Sequence, residues 1–294
     1  MTQKKFSGTG VAIVTPFRKD RSIDFKSLEK LLEHIIKNGV DYIVALGSTG
    51  ESATISKDEK QAVINYVIEV VDGRVPIVAG MGGNNTQELI NCINDTDFKN
   101  IDAILSVAPY YNKPSQLGIY EHFKAIASAC PVPVIIYNVP GRTSSNISAE
   151  TAVRLAREVK GVIAVKEASG NLAQIMNIIK NKPRSFQVIS GDDALTLPII
   201  AVGGAGVISV AANAYPREVS DMVNHALKGD MAKAGEIHYR LMELVDTLFE
   251  EGNPSGIKAA LEILKICPGN VRLPLLQVSD AHYRKISDII KKLK

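Results

Sequence analysis

The chain has 294 residues, with 34 Lys+Arg against 31 Asp+Glu for a formal charge of +3, and it is 46% hydrophobic and 22% charged. This composition can bury a sizeable core and excludes a disordered or fibrous protein. The near balance of charge, with no long block of one sign, leaves no electrostatic footprint for nucleic acid or an anionic membrane surface.

The N-terminal stretch MTQKKFSGTGVAIVTPF holds one short apolar run, Val11 to Val14, before Thr15 and Pro16. That is too short for the apolar core of a signal peptide, so a cytoplasmic protein is expected. Eight short runs rich in Val and Ile then follow in order: GVAIV (10–14), YIVAL (42–46), PIVAG (76–80), AILSVA (103–108), PVIIY (133–137), GVIAVK (161–166), QVIS (187–190) and GVISV (206–210). Between them lie stretches with helical spacing, two of which carry start signals, Ser56 with Glu59 and Asn85 with Glu88. Continuous apolar strands alternating with helices imply a parallel sheet covered on both faces. Eight such units fit a closed (β/α)8 TIM barrel of the α/β class, usually roughly 250 residues long, with an open doubly wound sheet as the alternative. The uncharged stretch from Ala194 to Pro216 is too broken by Pro198 and its glycines to span a membrane, and divides into a buried helix and a buried strand.

Beyond Pro216 the pattern is helical, over Glu218–Lys228, Met231–Phe249, Ser255–Lys265 and Leu273–Lys294. No Pro/Gly/Ser linker precedes these segments. Residues 1–225 are therefore read as the barrel and 226–294 as a C-terminal helical appendage packed on it, its apolar face available to an oligomer contact. Cys92, Cys130 and Cys267 form no CxxC pair and are expected to be reduced, buried space-fillers.

In such a barrel the chemistry gathers where strands end at their carboxyl side. Lys166 closes its run; period-two geometry puts it on one face with Val162 and Ala164, while Glu167 points the other way. An ammonium among apolar neighbours loses hydration, its pKa falls, and the neutral amine attacks carbonyls; the plainer reading is a strand-end lysine paired or solvated. Tyr137, closing PVIIY, has the chemistry of a general acid/base or of a core tyrosine. Arg142, in a Pro-Gly turn, offers a guanidinium fork to a carboxylate, or is an ordinary loop arginine. Ser48 and Thr49 lie between Gly47 and Gly50, where hydroxyls and N–H groups suit an anion or simply make a turn. Tyr110 and Tyr111 are a tandem for which simple packing is one open reading, since adjacent residues of a strand face opposite ways. The chain lacks HExxH, a metal-type carboxylate cluster, a P-loop, a full dinucleotide fingerprint and a GxSxG elbow, so neither a metal nor a cofactor is expected.

Taken together, GSTGES, PYYNKPSQ, YNVPGRT, VKEASGN and GVISV, in that order, resemble the Schiff-base pyruvate lyases, the N-acetylneuraminate lyase family, from about Gly8 to the C-terminal helices. More closely, they look like the branch that condenses pyruvate with aspartate semialdehyde early in lysine and diaminopimelate synthesis. The resemblance implies that Lys166 forms an imine with pyruvate and that Tyr137 shuttles protons. It further implies that Ser48 and Tyr111 relay them, Tyr111 coming from a neighbouring subunit of a homotetramer built as two tight dimers, with a dimer also open. Thr49 would hold the pyruvate carboxylate and Arg142 that of the semialdehyde, with Gly191 and Ile208 lining the site. Ser48 replaces the threonine of many relatives, keeping the hydroxyl without the methyl that restricts its rotamer.

In lysine-regulated relatives a dimer-interface pocket matches Ser52, Ala53, Asn84, Glu88 and Tyr110, but Lys57 and Lys60 stand where those relatives have histidines. Like charges there imply weak lysine inhibition or none. Two other readings remain: a sister sugar-acid aldolase, against which Arg142 argues because it offers a cation where sugars need hydroxyl-binding groups, and a non-catalytic barrel, which would need no nucleophile.

Overall fold

The computed structural model describes residues 5–293. Eight parallel strands, β1 Gly8–Ala12, β2 Tyr42–Ala45, β3 Ile77–Gly80, β4 Ala103–Val107, β5 Val134–Asn138, β6 Val162–Glu167, β7 Gln187–Ser190 and β8 Gly206–Ser209, close into a barrel in sequence order. The intervening helices are α1 Phe25–Lys37, α2 Lys57–Val71, α3 Thr86–Asn94, α4 Gln116–Ala129, the turn α5 Pro140–Thr143, α6 Ala149–Glu158, α7 Leu172–Asn181 and α8 Thr196–Ala201. After β8 come α9 Pro216–Leu227, α10 Met231–Glu250, α11 Ser255–Ile263 and α12 Asp280–Leu293. All eight expected strands form, and the uncharged stretch divides into α8 and β8.

The helices begin where short polar side chains satisfy their free N–H groups. Ser56 and Glu59 make a reciprocal capping box on α2, and Asn85 accepts from the backbone of Gln87 and Glu88 on α3. Inward-facing Ala12, Val44, Val78, Leu105, Ile135, Ala164, Ile189 and Ile208 fill the barrel, and at its amino end Tyr42 meets Phe6 edge-on with centroids 5.6 Å apart. Gly10 is glycine for a steric reason: a Cβ there would lie 2.2 Å from the Tyr42 ring. Two further clusters join the outer strand faces to the helices.

Three expectations need correction. Val162 belongs to the outer cluster, not to the face of Ala164 and Lys166, because a register irregularity beside Val134 and Ile135 leaves Ile163 unpaired and resets the alternation. The last helix starts at Asp280 rather than Leu273, since Pro274 lacks an N–H and turns Leu273 away from helical geometry. Cys92 is exposed and Cys130 half-buried, so Cys267 alone of the three is a buried space-filler. The C-terminal helices pack on the barrel, α10 against α8 and α9, and α12 against α10 and α11. The division at residues 225 and 226 falls inside α9.

Candidate active site

At the carboxyl ends of the strands a cavity of about 420 Å³ opens, lined by Ser48, Thr49, Tyr137, Arg142, Lys166 and Gly191 among others. Lys166 is 5% exposed, and its ammonium sits 4.4 Å from the centroid of the Tyr137 ring on the neighbouring strand, where register pairs the two residues. Burial lowers its pKa to about 8; the nearby Asp193 carboxylate opposes that shift and Arg142 adds to it. Glu167, on the outer face, is occupied by Asn138, Ser169 and Gln174 and leaves Lys166 unpaired by it. Burial pushes the Tyr137 phenol up, while Arg142 and the Ser48 hydroxyl pull it part of the way back.

Gly191 lets the lysine lie where it does: a Cβ there would come within 2.8 Å of Lys166 Cε and 2.9 Å of Ala168 Cβ. Gly80 plays the same part for the loop after β2, since a Cβ would meet the Leu46 carbonyl oxygen at 2.3 Å. That loop is held from both sides. Thr15 Oγ1 donates to the Gly50 carbonyl at 2.8 Å, and Glu51, in left-handed backbone at φ 56°, forms a fully buried ion pair with Lys258 of α11. Lys258 also donates to Asn270 O at 2.8 Å and lies 4.2 Å from the Phe17 ring centroid. Arg272 completes the brace, its backbone N–H donating to Glu51 at 2.9 Å and its guanidinium gripping both oxygens of Glu59.

Arg142 is exposed on the turn α5, and its Nη2 donates to the backbone oxygen of Asn253 at 3.4 Å. Asn253 Nδ2 donates in turn to Thr49 Oγ1 at 3.0 Å. Asp193 is buried, its carboxylate accepting from the Ser209 hydroxyl and from the N–H groups of Val210 and Ala211, which fixes the loop after β7 to the end of β8.

Two further candidates lie away from this cavity in a single copy of the chain, Tyr111 being the one expected to act from a neighbouring subunit. Ile208 lies inside the barrel below it, and Tyr111 stands off the surface, 88% exposed at φ 72°. Among the candidates for a regulatory pocket, Asn84 Nδ2 donates to Tyr110 O at 3.1 Å and Asn112 Nδ2 to Asn84 O at 2.9 Å, joining the loops after β3 and β4. Ser52 and Ala53 share a short 3₁₀ turn; on α2, Lys57 is paired with Asp95 at 2.8 Å, and Lys60 lies one turn further on. Sequence reading missed Asn253, Asp193, Asp246 and the Glu51–Lys258 pair. Only Glu51 had a signal, as a member of GSTGES, while Asp193 closes the run SGDD (190–193) at the end of β7.

The model of the dihydrodipicolinate synthetase family matches residues 5–293. A 4-hydroxy-tetrahydrodipicolinate synthase of Parabacteroides distasonis is 50% identical, with 100% of this chain and 99% of the relative covered. Among solved structures, dihydrodipicolinate synthase from Aquifex aeolicus is 43% identical with a TM-score of 0.94, covering 98% of each chain. The chloride-inhibited enzyme of Acinetobacter baumannii, complexed with pyruvate, is 40% identical with a TM-score of 0.95, also over 98% of each.

Proposed function

The chain belongs to the dihydrodipicolinate synthetase family and is a lyase that condenses pyruvate with L-aspartate 4-semialdehyde to 4-hydroxy-tetrahydrodipicolinate in lysine and diaminopimelate synthesis; we propose that it does so through an imine on Lys166. The observation that carries this reading is a buried lysine at a strand end with its pKa brought down to about 8, facing a phenol across an open cavity. The neutral amine adds to the pyruvate carbonyl and water leaves. Loss of a methyl proton then gives an enamine, whose carbon attacks the aldehyde. The amino group of the semialdehyde closes the ring by adding to the imine carbon, and Lys166 leaves as the free amine.

Tyr137 is the proton carrier for these steps, supported by its raised phenol pKa and its place against the amine. Ser48, beside the phenol, passes protons on, and Tyr111 of a neighbouring subunit extends the path to solvent. The exposure of Tyr111 supports that part, because in a single copy the ring touches little that would justify an exposed aromatic at positive φ. Thr49 receives the pyruvate carboxylate and Arg142 that of the semialdehyde, with Gly191 on the wall and the backbone of Ile208 at the barrel interior just below it. The Tyr111 assignment requires at least a tight dimer; a homotetramer of two such dimers is the assembly that the family resemblance implies, although one solved relative is described as a monomeric variant. No helix among the described residues is long and apolar enough to cross a membrane; a cytoplasmic location is part of our proposal.

The deciding experiment is turnover of pyruvate and aspartate semialdehyde, coupled to the next reductase and run beside Lys166→Ala, with borohydride trapping of the pyruvate adduct. Loss of both turnover and adduct in the variant is expected. Retained activity would overturn the assignment of the nucleophile.

A further inference from the structure

One side of the cavity, where the loop after β7 meets the C-terminal helices, carries acceptors that the fold uses only in part. Asn253 is 8% exposed, its amide N–H is committed to Thr49, and its Oδ1 is buried without a partner. Leaving a buried carbonyl unmatched costs free energy unless a ligand supplies the missing donor. Beside it on the cavity wall are Asp192 and Asp246, the latter on α10. Asp192 accepts through Oδ1 from the N–H groups of Ala194 and Leu195 at 3.0 and 3.3 Å. Among the described residues neither Asp192, Asp246 nor Arg142 takes part in an ion pair.

We propose that Asn253, Asp192 and Asp246 form a subsite for the ammonium group of the semialdehyde, so that the cavity selects an α-amino acid aldehyde over the same aldehyde without the amine. The inference rests on the semialdehyde entering at Arg142, as in the reading above. In an α-amino acid the ammonium and carboxylate are separated by one carbon, so their receptors must be neighbours. Arg142 and Asn253 are neighbours, joined by the Arg142 Nη2 to Asn253 O bond. An ammonium has donors only, and this wall offers one amide oxygen and two carboxylates. A guanidinium on one side and carboxylates on the other also orient the molecule, because reversing it would set like charges together.

The test compares aspartate semialdehyde with succinic semialdehyde, which lacks the ammonium, on the wild type, Asp246→Asn and Asp192→Asn/Asp246→Asn. The KM of aspartate semialdehyde is expected to rise about tenfold in the double variant, a charge-assisted contact being lost, while the inhibition constant of succinic semialdehyde stays within about twofold. Equal weakening of both ligands would mean a change in cavity shape and overturn the proposal, as would no change for either. Borohydride trapping of pyruvate on the same proteins separates this from the Lys166 reading. The adduct must form in the variants as in the wild type; its loss only in the variants would place these carboxylates at the first substrate and refute the ammonium subsite. Its absence from the wild type would instead refute the imine.

Discussion

Lowering the pH through the Lys166 titration should switch imine formation off along a calculable curve. With a pKa of about 8 the amine is neutral in about one molecule in ten at pH 7, against about one in three thousand for a lysine at its ordinary value of 10.5. Burial thus contributes roughly a 300-fold gain in reactive amine at neutral pH. Because the neutral form attacks, kcat/KM for pyruvate should rise about tenfold per pH unit below the midpoint and level off above it. Tyr137 does not end the plateau early, since burial pushes its phenol above its ordinary range. The assay is kcat/KM for pyruvate between about pH 6 and 10 at constant ionic strength, paired with the rate of trapped adduct at each pH. A midpoint at or above 10, or a flat profile, would refute the claim that desolvation activates this lysine.

The same burial has a stability cost. Lys166→Met should abolish the trapped adduct yet stabilise the fold by up to roughly 3 kcal/mol in urea unfolding, the equivalent of the pKa displacement. The sign follows from linkage: the unfolded lysine keeps its proton to about pH 10.5 and the folded one only to about 8, so the advantage of Met is complete below 8 and vanishes above 10.5. Lys258→Met strands the buried Glu51 carboxylate and should cost about 3–5 kcal/mol, read as a fall in Tm. Gly191→Ala drives a methyl into Lys166 Cε and should lower kcat about a hundredfold, with slowed adduct formation as the check. Free lysine below about 1 mM should leave the rate unchanged, because Lys57, kept protonated by Asp95, and Lys60 repel a cation; inhibition in that range would refute this.

Local patterns carried most of the fold into view. Apolar runs bounded by turn residues marked the eight strands, and Ser56 with Glu59 marked a helix start, because each signal lies within a few neighbouring residues. Lys166, Tyr137 and Arg142 were legible for the same reason, each sitting at or just beyond the end of a run. What escaped depends on tertiary register. The irregularity at Ile163 that turns Val162 outward arises in pairing with β5, and no periodicity within β6 reports it. Asn253 reaches Thr49 across 204 positions of sequence and Lys258 reaches Glu51 across 207, so neither half of either pair announces its partner.

The brace from Glu51 to Lys258 and Arg272 also sets the order in which the protein becomes competent during synthesis. A growing chain has every strand of the barrel by Ser209, while the counter-charge for Glu51 comes 49 residues later, the difference between positions 258 and 209. Until then the loop bearing Ser48 and Thr49 must either stay open to water or bury a lone carboxylate, and the second option is steeply unfavourable. The nascent barrel should therefore hold this loop unset until the C-terminal helices bring Lys258 to Glu51.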